Sequence, residues 1–200
     1  MAFMLLSEER FDAAKQELLA IVKLIKNKDD KDLLAQVYLN LAAAAYELDD
    51  FDAAIRYNSM VLQICQKSKG DSLSLIAHAY FNLSTIYIRK WDESAAEYSE
   101  NALLLYEYYP FSQKSDKVNA KMAYLITNLW FKNLFNADET LALWKDIKAF
   151  SIQDLSAWHV SNFIVAIYPI ISKIEPLNRV IMGELEKWAP ATFFREFLVI

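Results

Sequence analysis

The chain has 200 residues, of which 55% are apolar and 14% aromatic, with only 2 glycines and 4 prolines. So little Gly and Pro leaves few tight turns for an all-β fold and favours long helices joined by short connections. The formal net charge of −5 argues against a nucleic-acid-binding surface on this chain but places no restriction on protein or peptide partners.

Cysteine content and hydropathy favour a cytoplasmic, soluble protein. Cys65 is the single cysteine, so an internal disulfide is impossible, as is usual in a reducing compartment. The longest apolar stretch, 160–174, is interrupted by polar residues and a proline, which makes it a poor membrane span. The apolar start of the chain lacks the basic region and cleavage site of a signal peptide. We therefore expect no membrane partner.

Hydrophobic periodicity predicts a series of helices in chain order. The first runs from Ser7 to Lys26, where Glu8 and Glu9 suit a helix N-terminus. The others span 31–48, 52–67, 72–89, 92–108, 118–135, 138–150, 155–173 and 176–188. The longest predicted loop covers 110–117, and an apolar tail covers 192–200. Paired helices give repeat copies near 7–27, 32–67, 72–108 and 118–150, with a divergent hairpin region at 154–200, in a single domain over 1–200.

An internal repeat relates these helices. Phe11, Phe51 and Trp91 lie at intervals of 40 residues, each followed by aspartate. Three positions after these aromatics come the small residues Ala14, Ala54 and Ser94. We expect the aspartates to cap helices and the small residues to let paired helices approach closely. The longer separation of Leu41 from Phe51 than of Leu83 from Trp91 predicts a wider turn in the second copy.

The central copy resembles the tetratricopeptide repeat. The residues that carry the resemblance are Leu41, Ala42, Ala45, Tyr46, Phe51, Ala54, Tyr57 and Val61. The copy at Tyr80–Leu105 keeps much of the pattern, while those at Phe11 and at Thr127–Ile147 are partial. Trp130 stands where the family has a small residue, which predicts different packing of the fourth pair. The resemblance implies an all-α, right-handed superhelical solenoid of helical hairpins.

Copies of 40 to 46 residues exceed the usual period of about 34. In this respect they resemble the repeats of the peptide-pheromone receptors of Gram-positive bacteria, which bind a short signalling peptide in a concave groove. That resemblance implies the ligand-sensing part of a cytoplasmic transcriptional regulator. The alternative is a free-standing scaffold that joins larger proteins. The chain opens in what looks like the second helix of a hairpin, which suggests an upstream portion, and an upstream helix-turn-helix segment would favour the regulator.

The family resemblance places the ligand on the first helix of each hairpin, at positions flanking the recurring leucine. These positions are Gln36, Leu39, Asn40 and Ala43, then His78, Phe81, Asn82 and Thr85, then Tyr124, Thr127, Asn128 and Phe131. The three asparagines would form a ladder of amides that pairs with the backbone of an extended peptide. The apolar pockets between them would be Leu39, Phe81, Tyr124 and Phe131. Asn162 is a candidate fourth rung. The alternative is that these amides bind only water or a neighbouring turn.

No catalytic or metal-binding pattern accompanies the repeat. His78 and His159 lie in different predicted helices, and no cluster of side chains has metal-ligand spacing. The two glycines, Gly70 and Gly183, are too far apart in sequence to form a phosphate loop. We therefore expect no enzyme activity, no cofactor and no metal. The groove positions include no Lys or Arg, which argues against a clamp for carboxylate tails.

Two apolar segments lie outside the groove. The aromatic run Tyr106, Tyr108, Tyr109 and Phe111 favours core packing under the long loop over a binding patch. The tail at 192–200 is apolar where the end of a solenoid needs a polar face, so it either folds back on the last hairpin or packs on a partner chain. We expect a homodimer through the C-terminal helices.

Overall fold

The computed structural model describes residues 2–28, 30–67, 72–108, 113–131, 136–151, 155, 157–175 and 177–188. Across these residues the secondary structure is helical, without a β-strand. The chain forms two compact units, Met1–Ser112 and Gln113–Ile200, and the single repeat domain over 1–200 stays a prediction. We call these unit 1 and unit 2.

Unit 1 is a stack of helical hairpins. Its helices are α1 (Ala2–Ser7), α2 (Phe11–Ile25), α3 (Lys31–Glu47), α4 (Phe51–Lys67), α5 (Leu73–Arg89) and α6 (Ser94–Tyr108). They pair as α1–α2, α3–α4 and α5–α6, and each pair packs on the next. α1, α3 and α5 form an inner layer in which α3 packs directly on α5, and α2, α4 and α6 form an outer layer. The predicted all-α fold of stacked hairpins is confirmed.

One turn geometry joins the two helices of each hairpin in unit 1. Its central residue adopts a left-handed backbone, at Glu9 (φ 57°), Asp49 (φ 55°) and Trp91 (φ 54°). The next amide then donates to a carbonyl in the last helical turn, as from Asp50 N to Ala45 O at 2.9 Å. This is the Schellman arrangement, which satisfies carbonyls at a helix C-terminus. The turns therefore provide an exact register between the hairpins.

This register corrects the repeat predicted from the aromatic residues. Trp91 is equivalent to Asp49 rather than to Phe51, so the turns are of one kind and the predicted wider turn is wrong. The residue of α6 that lets the helices approach is Ala95, which is fully buried like Ala54, whereas Ser94 is exposed. Trp91 is one residue closer in sequence to the buried Ala95 than Asp49 is to the buried Ala54. Phe51 and Trp91 are therefore not structurally equivalent, although they lie 40 residues apart.

The helix starts also differ from the predictions. Asp50 rather than Asp52 caps α4, because its Oδ1 accepts from Ala53 N at 3.1 Å. Asp52 is exposed and pairs with Lys90. The predicted helix start at Ser7 is wrong, since Ser7 ends α1 and Glu8 and Glu9 lie in the turn. Because α1 packs on α2 as its hairpin partner, the expectation that the chain opens in the second helix of a hairpin is wrong as well.

The core of unit 1 lies between the two layers. One buried cluster joins α2 to α3 through Leu18, Val37 and Leu41, and another joins α3, α4 and α5. An aromatic pair repeats along the stack, with Tyr38 and Tyr57 at 6.0 Å between ring centroids and the equivalent Tyr80 and Tyr98 at 6.1 Å. These rings fill the space between the helices of a hairpin and add offset aromatic contacts.

Unit 2 contains α7 (Lys114–Phe131), α8 (Ala137–Lys148) and α9 (Ala157–Ile171), then a π-helical turn (Asn178–Met182) that leads into α10 (Gly183–Trp188). α7 packs on both α8 and α9. It begins inside the predicted loop 110–117, because the charged residues from Lys114 onward already form its first turn. The predicted end of this helix at 132–135 and the tail 192–200 lie outside the described residues.

Tryptophans organise the core of unit 2. Trp130 donates its indole N–H to Ala166 O of α9 at 2.9 Å, so this tryptophan of α7 contacts α9. Trp144 is fully buried, stacks on Phe163 at 6.4 Å and lies edge-on to Trp188 at 5.8 Å. Trp188 in turn donates to Phe150 O at 3.0 Å. α10 is therefore attached to the end of α8 by both ring contacts and hydrogen bonds.

Candidate functional site

A row of exposed and half-buried side chains, most of them polar, runs along one side of α3 and of α5. It consists of Gln36, Asn40, Ala43 and Glu47 on α3 and of the equivalent His78, Asn82, Thr85 and Arg89 on α5. Each of these side chains is exposed or half-buried. Because α3 packs directly on α5, the two rows lie next to each other. We call this surface the inner face.

Two positions that the sequence assigned to the groove belong to the core instead. Leu39 is only 6% exposed and packs with Val61 and Ala79 between three helices. Thr127 is fully buried, and its hydroxyl donates to Tyr124 O at 3.0 Å. Both lie one helical position from an asparagine, and a shift of about 100° around a helix moves a side chain from the exposed to the buried side. Phe81, the equivalent of Leu39 on α5, is half-buried and remains at the edge of the inner face.

Asn82 is connected to the interior by a relay of side-chain amides. Its Nδ2 donates to Asn58 Oδ1 of α4 at 3.2 Å, and Asn58 Nδ2 donates to Ala54 O at 2.9 Å. Asn58 is fully buried, so its two bonds are what make its polar group tolerable in the core. The relay fixes which end of the Asn82 amide points inward. The amide oxygen of Asn82 is therefore the end that remains for the inner face.

Asn40 occupies the same position on α3 but lacks this relay. The equivalent of Asn58 in α2 is Leu18, because Ala14 and Ala54 are the matching buried alanines. A leucine offers no acceptor, and Asn40 Nδ2 is buried without a hydrogen-bond partner in the described part of the chain. A buried, unpaired amide costs roughly 1–3 kcal/mol. The amide nitrogen of Asn82 is therefore hydrogen-bonded to a neighbouring helix, whereas that of the equivalent Asn40 has no partner among the described residues.

His78 and Thr85 already use part of their hydrogen-bonding capacity. His78 Nδ1 lies 2.7 Å from Ser74 O, so the hydrogen on that nitrogen donates to the carbonyl, and the ring is edge-on to Tyr106 at 5.5 Å. The Thr85 hydroxyl donates to Asn82 O at 2.8 Å. These bonds hold both side chains against α5.

Arg89, a charged residue that the sequence did not indicate, lies at one end of the inner face. Arg89 pairs with Asp49 at 3.2 Å, and its guanidinium lies over the rings of Tyr46 and Phe51 at 5.5 and 5.4 Å. Burial raises the pKa of the neighbouring Glu47, and the Arg89 charge partly offsets that shift. The spacing from Asn82 to Arg89, two helical turns, was the signal that could have found it. Arg89 was not among the predicted groove positions, none of which is Lys or Arg.

The remaining predicted positions lie in unit 2. The Tyr124 hydroxyl is 3.4 Å from Glu139 Oε1 on α8, and Phe131 is edge-on to Trp130 at 6.1 Å. Asn128 is half-buried, and its Oδ1 is buried without a hydrogen-bond partner among the described residues. The side chains of Asn162 and His159 lie outside those that the structure describes.

The described residues also bear on two other classes of site. No group of three His, Cys, Asp or Glu side chains among them is placed to hold a metal ion. Likewise, no helix in the described part of the chain is long and apolar enough to cross a membrane.

Comparison with known proteins finds a family match over the second and third hairpins. A family model of the tetratricopeptide repeat matches residues 33–107, which run from the first turn of α3 to the end of α6. No curated protein matches the chain. The matched segment covers less than half of the 200 residues, and it contains the whole of α4 and α5. Together with the repeated turn, it supports a tetratricopeptide repeat domain in this part of the chain.

Proposed function

We propose that unit 1 binds an extended peptide or protein segment along the inner face of α3 and α5. Tetratricopeptide repeats are interaction modules, and stacked repeats present extended surfaces for binding. The observation that carries the proposal is the pair of equivalent amides at Asn40 and Asn82, which sit on adjacent helices. Such amides can pair with the backbone of an extended chain without reading its sequence. Phe81 supplies apolar surface beside them.

We extend the proposal to the role of the whole chain. The length of the repeats supports the ligand-sensing part of a cytoplasmic transcriptional regulator, and a scaffold for protein assembly is the alternative. Within unit 2 itself, we propose Tyr124, Asn128 and Phe131 as ligand-binding residues, and we propose that the C-terminal helices mediate a homodimer. A DNA-binding segment encoded upstream in the same reading frame would favour the regulator, and its absence would favour the scaffold.

Replacement of Asn40 by Ala tests the inner face. The probe is a peptide enriched from a random library displayed on phage and selected on the intact chain, with affinity then measured by calorimetry. One lost hydrogen bond is worth about 0.5–1.5 kcal/mol, so we expect the affinity to fall about 3- to 10-fold. Because Asn40 Nδ2 has no hydrogen-bond partner among the described residues, the substitution removes no hydrogen bond of that group and should leave the helical circular dichroism unchanged.

Asn82→Ala is the second variant. It removes the amide oxygen that remains for the inner face, so it should weaken binding of the same peptide as well. Glu175→Gln, at an exposed position of unit 2, should leave affinity unchanged. An affinity that is unaffected by both Asn40→Ala and Asn82→Ala would contradict binding at this surface.

A further inference from the structure

The hydrogen-bond relay from α4 to α5 has a direction that a backbone carbonyl sets. Ala54 O can only accept, so the end of the Asn58 amide that lies 2.9 Å from it is the donor Nδ2. The opposite end, Asn58 Oδ1, is an acceptor and lies 3.2 Å from the Asn82 side chain. Asn82 must therefore meet it with Nδ2. The backbone of α4 thus decides which end of the Asn82 amide points away from the core.

Burial prevents this direction from reversing. A reversed Asn58 amide would set its oxygen against Ala54 O, so that two acceptors would face each other without a hydrogen between them. Asn58 is fully buried, so water cannot replace the lost bond, and a buried polar group without a partner is costly. Asn82 itself is half-buried at the surface of α5. Its oxygen is therefore a fixed acceptor on the inner face.

Asn40, the equivalent residue on α3, is not oriented in this way. The position of Asn58 is taken in α2 by Leu18, whose side chain has no polar atom. Asn40 Nδ2 has no hydrogen-bond partner among the described residues, so no bond of that nitrogen opposes rotation of the amide. Asn40 can turn either its oxygen or its NH2 group toward a ligand. The inner face thus combines one fixed acceptor with one adaptable amide.

We infer that Asn58 is a positioning residue for ligand specificity, because it makes Asn82 select a main-chain N–H of the bound segment. This role rests on the proposed function, since it concerns the same ligand on the same face. An extended segment offers both N–H and C=O groups along its backbone, and a fixed acceptor pairs with the N–H alone. A C=O at that place would bring two oxygens together. Proline, which has no N–H, is excluded from the ligand residue opposite Asn82.

Ester substitution within the ligand tests this selection. The probe is the phage-selected peptide, compared by calorimetry with analogues in which one main-chain amide at a time is replaced by an ester, which has no N–H. We expect one ester position at which affinity for the natural chain falls about 3- to 10-fold. That loss, which we call the ester penalty, should disappear in Asn82→Ala, because the acceptor is then absent.

Asn58→Leu separates positioning from a structural role. Leucine already occupies the equivalent position of α2, and on α4 it would free the Asn82 amide to turn either end outward. Affinity for the all-amide peptide should fall about twofold, because only about half of the amide orientations then present the oxygen. The ester penalty should shrink to about twofold or less, since Asn82 Nδ2 can turn toward the ester oxygen. A merely structural Asn58 would weaken both peptides equally and leave the penalty unchanged.

Ser59→Ala is the matched control on α4. The Ser59 hydroxyl donates to Ile55 O at 2.9 Å, so this variant also removes a side-chain bond to the helix backbone, but not one that involves Asn82. It should leave the ester penalty unchanged. Asn58→Val, which is closer to asparagine in volume, should behave like Asn58→Leu and takes its place if circular dichroism shows that the leucine variant is unfolded.

Nitrogen-15 NMR of the chain without peptide tests the relay independently. The NH2 group of Asn82 should exchange its hydrogens with water slowly in the natural chain and faster in Asn58→Leu, because the bond to Asn58 Oδ1 is then lost. Equal exchange in the two chains would overturn the positioning role of Asn58.

The binding outcomes distinguish this role from the proposed function. If Asn82→Ala weakens the peptide but no ester penalty depends on Asn82, or if Asn58→Leu leaves the penalty unchanged, Asn58 does not set specificity and the inner face still binds the ligand. The same holds if Asn40→Ala weakens the peptide and Asn82→Ala does not. If neither variant weakens it, the proposed function fails and the role of Asn58 fails with it.

Discussion

Asparagine side chains decide much of the difference between otherwise equivalent hairpins. Asn58 stands at a position where α2 has the buried Leu18, so an amide replaces an aliphatic side chain in the core. A buried amide is tolerated when it is hydrogen-bonded and costly when it is not. Asn58 and Asn82 satisfy one another, whereas Asn40 faces a leucine. The same residue type therefore stabilises one inter-hairpin contact and weakens the other.

The variants Asn82→Leu and Asn40→Leu should change stability in opposite directions. Removing Asn82 leaves Asn58 Oδ1 buried without its donor, which should lower the free energy of unfolding by about 1–3 kcal/mol. Removing Asn40 eliminates an amide that is already unpaired, so it should raise the free energy by about 1 kcal/mol. Both variants gain the same helix propensity, so they are matched. Urea denaturation followed by circular dichroism measures the difference.

The double variant Asn58→Leu/Asn82→Leu completes the test. Because it removes both members of the pair, it should be clearly more stable than Asn82→Leu alone, which is the non-additivity expected of contacting residues. If the losses of Asn58 and Asn82 simply add, the hydrogen bond between them contributes nothing to stability.

The turn between paired helices is built without glycine in all three hairpins of unit 1. Glu9, Asp49 and Trp91 each hold a left-handed backbone, which costs a residue with a side chain roughly 1–2 kcal/mol. The Schellman bonds and the packing of the flanking helices stabilise that conformation. The intrinsic backbone preference of these three residues therefore opposes the turn. The turn hydrogen bonds and the packing of the flanking helices overcome that preference.

Glu9→Gly should stabilise unit 1. Glycine removes the left-handed penalty but adds about 0.4–1 kcal/mol of entropy to the unfolded chain, so we expect a net gain of about 0.5–1 kcal/mol in the free energy of unfolding. The substitution also removes a negative charge that contributes to raising the pKa of Glu47. Chemical denaturation checks the gain. Glu8→Gly, one residue earlier at a backbone angle that is not left-handed, should lower stability instead.

One carboxylate adds to the contacts that hold α10 on α8 in unit 2. Glu184 of α10 accepts from Trp144 Nε1 at 2.8 Å and pairs with Lys148 Nζ at 2.7 Å, both on α8. The hydrogen bonds from Lys148 and from Trp144 lower the pKa of Glu184 below its usual value of 4.5. Because the folded-state pKa is the lower one, the ionised carboxylate stabilises the unit above that usual value. The stabilisation is lost as pH falls through the folded pKa.

Glu184→Gln should therefore lower thermal stability at neutral pH and have little effect in strong acid. The difference in melting temperature from the natural chain should shrink steadily as pH falls below about 4.5. Circular dichroism at a series of pH values measures it. The control is Glu175→Gln, in the turn between α9 and the π-helical turn. A difference that stays constant with pH would mean that ionisation of Glu184 does not stabilise unit 2.

Helix positions in unit 1 were predictable because they depend on local sequence. The helices α3, α4 and α5 begin and end within one residue of the positions that hydrophobic periodicity predicts. The recurrence of Asn40 and Asn82 also predicted equivalent positions correctly. Leu39 was predicted to line the groove, but it is buried. Adjacent helix positions are about 100° apart, and only the neighbouring helices decide which of them is covered.

Local periodicity, low Gly and Pro content and internal repetition are therefore enough to specify an all-α stack of hairpins, because each is a property of short segments. The tertiary structure alone decided that Trp91 matches Asp49, since that register depends on backbone hydrogen bonds at the turn and not on residue type. It alone also showed that Asn82 is paired and Asn40 is not. The partner of each asparagine lies on another helix, so the physical cause is contact across the fold, which no spacing within one repeat encodes.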